Sequence, residues 1–407
     1  MISGHEILCF APGPWDDIWR NRHQIMTRLA LANRVLYVEP WPYVRPTLRR
    51  LRQGPLGQAL ASLRGGGLQQ VRANLYVHRP AGWAPRASRE PLRALTQAVF
   101  LAQLKRSLRA LDFHSPILWL FSPDTEIFLG AFDEKLAIYH VVDEYSGYSG
   151  VSASWRPVVQ RMEQRLLRRV GLVFVVSPAL FERKAAFNKR TVLVPNGVDY
   201  VAFAAAQEEV TRPADVAGIA PPAIGYVGAI NDKLDLALLA GAARECADLS
   251  WILVGPVAIS DEESLRALAE LRAMPNVHLL GRKSVDLVPH YISACDVCVL
   301  PYRVNEWTRH IDSLKLWEYL ACGKPVVATD IPAARQLVEG ERAERRGIVR
   351  IAATRAQFVE QIRVAVREAD PALQNARRSI AAQNTWDHRV EALSGAIETR
   401  LSELGRA

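Results

Sequence analysis

Apolar residues in this chain gather in short runs, separated by longer stretches whose apolar positions recur at helical spacing. The runs Glu6–Ala11, Val35–Glu39, Ile117–Phe121, Leu136–Val142, Leu172–Val176 and Thr191–Val194 predict one series of strands. Ala223–Val227, Ser250–Val254, Val277–Leu280, Val297–Leu300, Pro325–Ala328 and Gly347–Ile351 predict a second. Strands that alternate with helices imply parallel sheets covered on both faces. The fold class is therefore α/β, and two series imply two doubly wound domains, 1–200 and 213–384. Pro195-Asn196-Gly197-Val198-Asp199 closes the first series, and the polar stretch Glu208–Pro222 precedes the second. A final helix over 385–407 carries Val390, Leu393, Ile397 and Leu401 near helical spacing, and is expected to pack back on the first domain.

Length agrees with that division, since 407 residues exceed one comfortable core. Hydrophobic residues make up 49% and charged residues 23%, ordinary values for a globular enzyme. Met1–Phe10 reads as a first strand rather than a signal peptide. No apolar run approaches the roughly 20 residues that a membrane-spanning helix needs. Cysteines stand at 9, 246, 295, 298 and 322; Cys295 and Cys298 have CxxC spacing but sit at an apolar strand with no second ligand pair. Free thiols in a reducing cytoplasm are the expectation.

Charge changes the picture more. Residues 1–200 hold 27 Lys and Arg against 15 Asp and Glu, while the remainder holds 24 against 27. Arg45 to Arg109 contains 13 basic residues and one acid, Glu90. Leu56, Leu60 and Leu63, and later Leu92, Leu95 and Val99, form apolar stripes beside those arginines. This block predicts contact with an anionic membrane surface, each basic residue near it contributing about 1 kcal/mol. A solvated helix face is the plainer alternative. No nucleic-acid partner is expected, because no RNP, KH or zinc-finger pattern occurs.

The segment Pro301–Asp330 carries the most chemistry. A strand ends at Pro301-Tyr302, a polar loop follows, and a helix begins near Ser313 or Leu314 and stops at Gly323. Ligands of open parallel sheets sit beyond the strands' carboxyl ends, where a helix N-terminus offers N–H groups and partial positive charge to phosphate. Lys315 adds a full charge there. Glu318, on the same face, is suited to accept hydrogen bonds from two ribose hydroxyls. An ordinary i, i+3 surface ion pair is the alternative.

Two further segments stand out. Tyr139–Tyr145 ends an apolar strand in Asp143-Glu144; Asp143 is the candidate general base for an acceptor hydroxyl, with a turn or helix cap as the alternative. Trp15–Gln24 is dense in aromatic and planar polar groups. Trp19, Arg22 and His23 are the candidate acceptor-binding residues, although Trp15 and Trp19 at i, i+4 are equally suited to packing.

Residues 301–330 resemble the donor-site region of the GT-B glycosyltransferases, especially the family 4 group, whose members carry LExxAxGxPVVAT at a helix start. Here the run is Leu316-Trp317-Glu318-Tyr319-Leu320-Ala321-Cys322-Gly323-Lys324-Pro325-Val326-Val327-Ala328-Thr329. Pro195–Asp199, followed by Phe203, resembles the family's interdomain segment. Asn276–Arg282 resembles the loop that meets the nucleotide base. The resemblance implies two Rossmann-like domains facing a cleft, and transfer from a nucleotide-diphosphate sugar to a lipid-linked or oligosaccharide acceptor in bacterial surface glycan synthesis. It implies no cofactor and no metal, in keeping with the lack of a DxD triplet. It assigns donor binding to Lys315, Glu318, Arg282, Gly228, Lys233, Asn305, His310, Ser313 and Leu314.

Departures from the pattern are also legible. His310 stands where the family's E-x7-E motif has its first glutamate, and the usual Gly-Arg is Gly228-Ala229. Lys233 takes the place of a family lysine at shortened spacing. Lys315-x-x-Glu318 resembles bacterial polysaccharide glucuronosyltransferases, in which such a lysine meets the diphosphate. Lys315 is thus expected to replace the missing arginine. A peripheral position on the cytoplasmic face of the membrane follows from the same resemblance. A nucleotide-sugar epimerase of this fold and a catalytically silent partner subunit are the alternatives. The absence of GxGxxG, GxxxxGK[ST] and GxSxG removes dinucleotide dehydrogenases, P-loop enzymes and serine hydrolases.

Overall fold

The computed structural model describes residues 1–44, 66–87, 89–148, 151–208, 212–338 and 347–405. The first sheet contains β1 (Glu6–Phe10), β2 (Arg34–Val38), β3 (Gly67–Arg72), β4 (Leu75–Arg79), β5 (Ile117–Leu120), β6 (Leu136–Val141), β7 (Leu172–Val175) and β8 (Thr191–Leu193). Their order is β3-β4-β2-β1-β5-β6-β7-β8. β3 runs antiparallel to β4, and the other neighbours pair in parallel. The second domain contains β9 (Ala223–Val227), β10 (Ile230–Asn231), β11 (Ser250–Val254), β12 (Val257–Ala258), β13 (Val277–Gly281), β14 (Val297–Leu300), β15 (Val326–Thr329) and β16 (Arg350–Ala352). Its main sheet is wholly parallel, in the order β13-β11-β9-β14-β15-β16, while β10 and β12 form a separate short pair. In both sheets the order reverses beside the first strand, at β1/β5 and at β9/β14. Such switch points are where open α/β sheets hold ligands.

The expected strands are observed to within one residue at their ends, except the last, which begins at Arg350 rather than Gly347. The β3–β4 hairpin was not among them. Its turn is made at Asn74, whose φ of 57° suits an asparagine. β3 is an exposed edge strand of mostly polar residues, so it carries no apolar alternation, and the surrounding arginines dominate its composition. Only β4 buries side chains there, Leu75, Val77 and His78. The Leu56, Leu60 and Leu63 stripe, together with Arg45–Arg64, lies outside the described residues. The helix Leu92–Ala110 buries Phe100, Leu104, Ser107 and Leu108 and leaves Leu92 and Leu95 exposed.

The first sheet has an apolar cluster on each face, and the second domain has one continuous core. The last helix, Trp386–Leu404, joins one face of the first sheet through Trp386, Val390, Leu393 and Ile397. Each such buried side chain contributes about 1.5–3 kcal/mol relative to exposure, which fixes the chain's end to the first domain. Two crossings therefore link the domains, and they run side by side. The Val198 N–H donates to the Asn384 carbonyl (3.0 Å) and the Trp386 N–H to the Val198 carbonyl (3.1 Å). Gly197 is required here, because a Cβ would lie 2.8 Å from the Thr385 and Trp386 backbone. The side chains of Val198 and Phe203 already belong to the second core, so the chain enters that domain earlier than residue 213.

Candidate functional site

Between the domains lies a cleft of about 650 Å³. The second domain contributes the loops beyond β9, β11 and β13 and the start of the helix Leu314–Ala321. The first domain contributes the loop Trp15–Arg20, and Trp386 reaches in from the last helix.

Two glycines shape the floor. Gly228 (φ +152°) and Gly255 (φ +144°) adopt backbone angles that disfavour a side chain. A Cβ on Gly255 would stand 2.0 Å from the Gly228 carbonyl oxygen, and one on Gly228 would stand 1.9 Å from Lys315 Cε. The Lys315 ammonium consequently rests directly on the Gly228 backbone, 5.7 Å from the centroid of the Tyr226 ring. Tyr226 is itself fixed by donating its hydroxyl proton to the Ala229 carbonyl (2.9 Å).

The helix Leu314–Ala321 starts without a side-chain cap. Its uncapped N–H groups and Lys315 concentrate positive potential at one end of the cleft. Ser313, at the cap position, is buried, and its Oγ has no hydrogen-bond partner among the described residues. One turn on, the Glu318 carboxylate lines the cleft and makes no hydrogen bond among the described residues. Burial raises its pKa above the ordinary glutamate range, and Lys315 pulls the other way. An anion-favouring helix start, a lysine and an unsatisfied carboxylate thus share one wall.

Gly228, Lys233, Arg282, Leu314, Lys315 and Glu318 all line this cleft, as does Trp19. Arg282 also closes the rim, since its Nη2 donates to the Asp16 carbonyl across the domain boundary (2.7 Å). The remaining expected residues are placed elsewhere. Asn305 caps the short helix Glu306–Arg309, its Oδ1 accepting the Thr308 N–H (3.0 Å). His310 is buried at the domain contact, its Nδ1 2.8 Å from the Glu306 carbonyl and its Nε2 3.4 Å from Arg183 Nη1. Its own carbonyl accepts from Ser177 Oγ of the first domain (2.7 Å). Asn305, His310 and Ser313 are not among the lining residues.

Arg22 and His23, expected to bind the acceptor, do not line the cleft either. Both are buried beneath the Trp15–Arg20 loop and hold its shape. Arg22 Nε donates to the Tyr37 hydroxyl (2.8 Å), and Nη2 lies 3.5 Å from Asp17 Oδ2. His23 Nδ1 accepts the Arg20 N–H (3.0 Å), which makes Nε2 the protonated nitrogen, donating to the Trp15 carbonyl (3.1 Å). Burial, reinforced by Arg22, lowers its pKa to about 3, so it is neutral and fully satisfied.

Asp143 belongs to the domain contact beside the cleft rather than to its lining. Its carboxylate accepts from Tyr148 Oη (2.9 Å) and Trp307 Nε1 (3.3 Å), and Lys233 Nζ lies 3.5 Å away. Lys233 also sits over the Trp307 ring, 4.7 Å from its centroid. The candidate base and the candidate donor-binding Lys233 are therefore paired with each other. The neighbouring Glu144 is buried; desolvation pushes its pKa up, but Lys184 Nζ (2.9 Å), the Ser146 hydroxyl (2.7 Å) and Arg183 together hold it below the usual range. The carboxylates that the first domain does present to the cleft are Asp16 and Asp17. They fall inside the segment singled out for its aromatic residues, which drew attention away from them. The cleft residues Phe203 and Trp386 lie on or beside the crossing segments; Phe203 belongs to the segment singled out as interdomain, and nothing in the spacing of Trp386 marks it as a cleft residue.

Comparison with known proteins bears on this cleft. Residues 221–368 match the family model described as glycosyl transferases group 1. The matched segment lies in the second domain, and the chain as a whole has a GT-B fold. Among curated proteins it is 29% identical over 229 residues to Bacillus subtilis TuaH, whose name assigns it to teichuronic acid biosynthesis as a glycosyltransferase. The match covers 54% of this chain and 57% of that protein, so the chain spans little more than half of that relative's length. Sucrose-phosphate synthase from Thermosynechococcus elongatus superposes with a TM-score of 0.69 at 18% identity, covering 98% of this chain and 100% of that one. Anabaena HepE in complex with UDP superposes with a TM-score of 0.66 at 16% identity, covering 97% and 100%. At those identities the structural likeness establishes the fold.

Proposed function

We propose that this GT-B protein is a hexosyltransferase that moves a sugar from a nucleotide-diphosphate sugar to a lipid-linked or oligosaccharide acceptor in surface glycan synthesis. The observation that carries the reading is the grouping of Lys315, the uncapped start of Leu314–Ala321 and Glu318 on one wall above the Gly228–Gly255 floor. The diphosphate lies against Lys315 and the helix start, the ribose hydroxyls on Glu318, and the base towards Arg282. The sugar then faces the Trp15–Arg20 loop. HepE, described with UDP and UDP-glucose bound, supports that class of donor.

In the reaction the acceptor oxygen bonds to the anomeric carbon while the bond from that carbon to the diphosphate oxygen breaks. The leaving electron pair passes onto the diphosphate. Preorganised positive charge at that oxygen stabilises the transition state, a role for Lys315 and the helix N–H groups that needs no divalent ion. The acceptor proton goes to a carboxylate, for which Asp143 is our choice. In the structure Asp143 is occupied by Lys233, and a bound diphosphate offers Lys233 a stronger anionic partner. Donor binding thereby draws Lys233 off Asp143, which Tyr148 and Trp307 continue to orient, and this orders the two substrates. Direct displacement with Asp143 as base inverts the anomeric configuration.

Trp83, Leu92 and Leu95 are exposed in the same stretch of chain as the exposed Arg89 and Arg93. This apolar-and-basic face suits a peripheral position on the cytoplasmic side of an anionic membrane, where lipid-linked acceptors reside. A thermal-shift series with UDP-, GDP- and dTDP-sugars tests the central reading, because a ligand that binds the folded state raises the unfolding temperature. One nucleotide series is expected to stabilise the protein, and no shift with any of them contradicts the proposal.

A further inference from the structure

A second cavity, of about 530 Å³, opens in the first domain beyond the carboxyl ends of β1, β2, β4 and β5, over the β1/β5 switch point. That size falls within the range of roughly 300–1,000 Å³ typical of small-molecule sites. None of its lining residues lines the donor cleft. The two are back to back across the Trp15–Arg20 loop: Asp16 lines the cleft, and its Oδ2 is paired at 2.6 Å with Arg79, which lines the cavity.

The cavity is built and rigid. Trp41 stacks on Phe100 at 4.8 Å, and its Nε1 donates to the Ala84 carbonyl (2.8 Å). Segments 42–44 and 86 are tied by the Arg86 N–H to the Pro42 carbonyl (2.8 Å) and the Val44 N–H to the Arg86 carbonyl (3.2 Å). Arg86 lies over the Trp41 and Tyr43 rings and donates to Asp124 Oδ2 (2.7 Å), which also accepts from Tyr43 Oη (3.0 Å). Glu39 Oε1 accepts the Trp15 N–H (3.0 Å) and Arg79 Nε (3.4 Å). Each carboxylate therefore uses one oxygen to fix its position. Asp124 Oδ1 and Glu39 Oε2 accept no hydrogen bond among the described residues.

Aromatic walls with positioned carboxylate oxygens match a sugar, whose ring presents C–H faces to aromatics and hydroxyls to acceptors. The charge balance narrows the class. Both lining guanidiniums are already paired, Arg79 with Asp16 and Glu39 and Arg86 with Asp124, while Glu39 and Asp124 each keep one oxygen open. Among the described residues a phosphate or uronate would find no unpaired cation there, and a lipid chain would leave the ionised groups desolvated. We propose that this cavity is a subsite for a neutral sugar of the acceptor, distal to the sugar that receives the transferred group. The inference rests on the reading of the chain as a sugar transferase.

Saturation-transfer NMR and titration with maltose, cellobiose and N,N′-diacetylchitobiose test it, with glucuronic acid and inorganic phosphate as charged probes. UDP binding is measured on the same samples. At least one neutral disaccharide is expected to bind, and Asp124→Asn and Tyr43→Ala each to weaken it by about tenfold, one to two hydrogen bonds to a charged acceptor, with UDP binding unchanged. Tyr43 is at the surface, so its truncation leaves the core intact and keeps the test sound if Asp124→Asn disturbs the loop. Absence of disaccharide binding in protein that binds UDP overturns the subsite. So does binding that survives both substitutions, or a preference for the charged probes. Failure to bind UDP would instead count against the donor cleft.

Discussion

Replacing Glu318 with Gln separates a binding role from a structural one. The wild-type carboxylate is partly buried, makes no hydrogen bond among the described residues, and has its pKa raised by burial against the pull of Lys315. Its ordinary value is 4.5, and the folded value lies above that. Between the two the native state holds more protons than the unfolded chain, so stability falls as pH rises through that window. The amide removes this penalty. At neutral pH the unliganded variant should unfold at the same temperature as wild type or higher. Donor affinity should move the opposite way. Losing one or two hydrogen bonds from ribose to an ionised acceptor costs about 1.5–3 kcal/mol, or roughly 10- to 150-fold in Kd. Calorimetric titration with the stabilising nucleotide sugar, alongside thermal unfolding without ligand, reads both quantities. A variant with a lowered unfolding temperature and unchanged donor affinity would refute the assignment and make Glu318 a structural residue.

Other predictions address the base, the hinge and the membrane face. Asp143→Asn should abolish transfer while preserving donor binding, with an inverted product linkage in the wild type; near-normal turnover removes Asp143 and turns attention to Asp17, whereas a retained configuration seen by NMR removes direct displacement with any carboxylate base. Asp312 accepts the Asn196 N–H (2.5 Å) at the domain crossing, and burial raises its pKa from 3.8 to about 6. Its ionisation should lower stability as pH rises from about 4 to 6, by at most about 3 kcal/mol, and Asp312→Asn should flatten that limb of a chemical-denaturation series. Liposome sedimentation should show binding to anionic vesicles at low salt that is released as salt rises. Equal binding to neutral vesicles contradicts an electrostatic face.

Most of the scaffold was legible because its strands are buried on both sides and read as unbroken apolar runs, as in Ala223–Val227 and Val297–Leu300. β3 was not, since Gln69, Gln70 and Arg72 give an edge strand no apolar pattern. The placement of Lys315 and Glu318 on one cleft wall was legible for a local reason: they share one face of one helix, at a spacing the sequence displays. Asn305 and His310 lie in the preceding loop, where sequence position does not say which way a side chain turns, and both turn into local bonds. His23 sits one residue from Arg22 in a polar segment, yet its neighbours Trp15, Trp19 and Tyr37 enclose it. The Asp143–Lys233 pair joins residues 90 apart on different domains, so only the contact between the two domains brings it into view.

The central claim is that Lys315 and the start of its helix hold the diphosphate of a nucleotide sugar. Isothermal titration of wild-type and Lys315→Met proteins with the full nucleotide sugar and with the corresponding nucleoside tests it most directly. The substitution keeps most of the side-chain volume against Gly228 while removing the charge. The account predicts a large loss of affinity for the nucleotide sugar and little change for the nucleoside, which lacks the diphosphate. Equal losses for both ligands, or no loss for either, would contradict it.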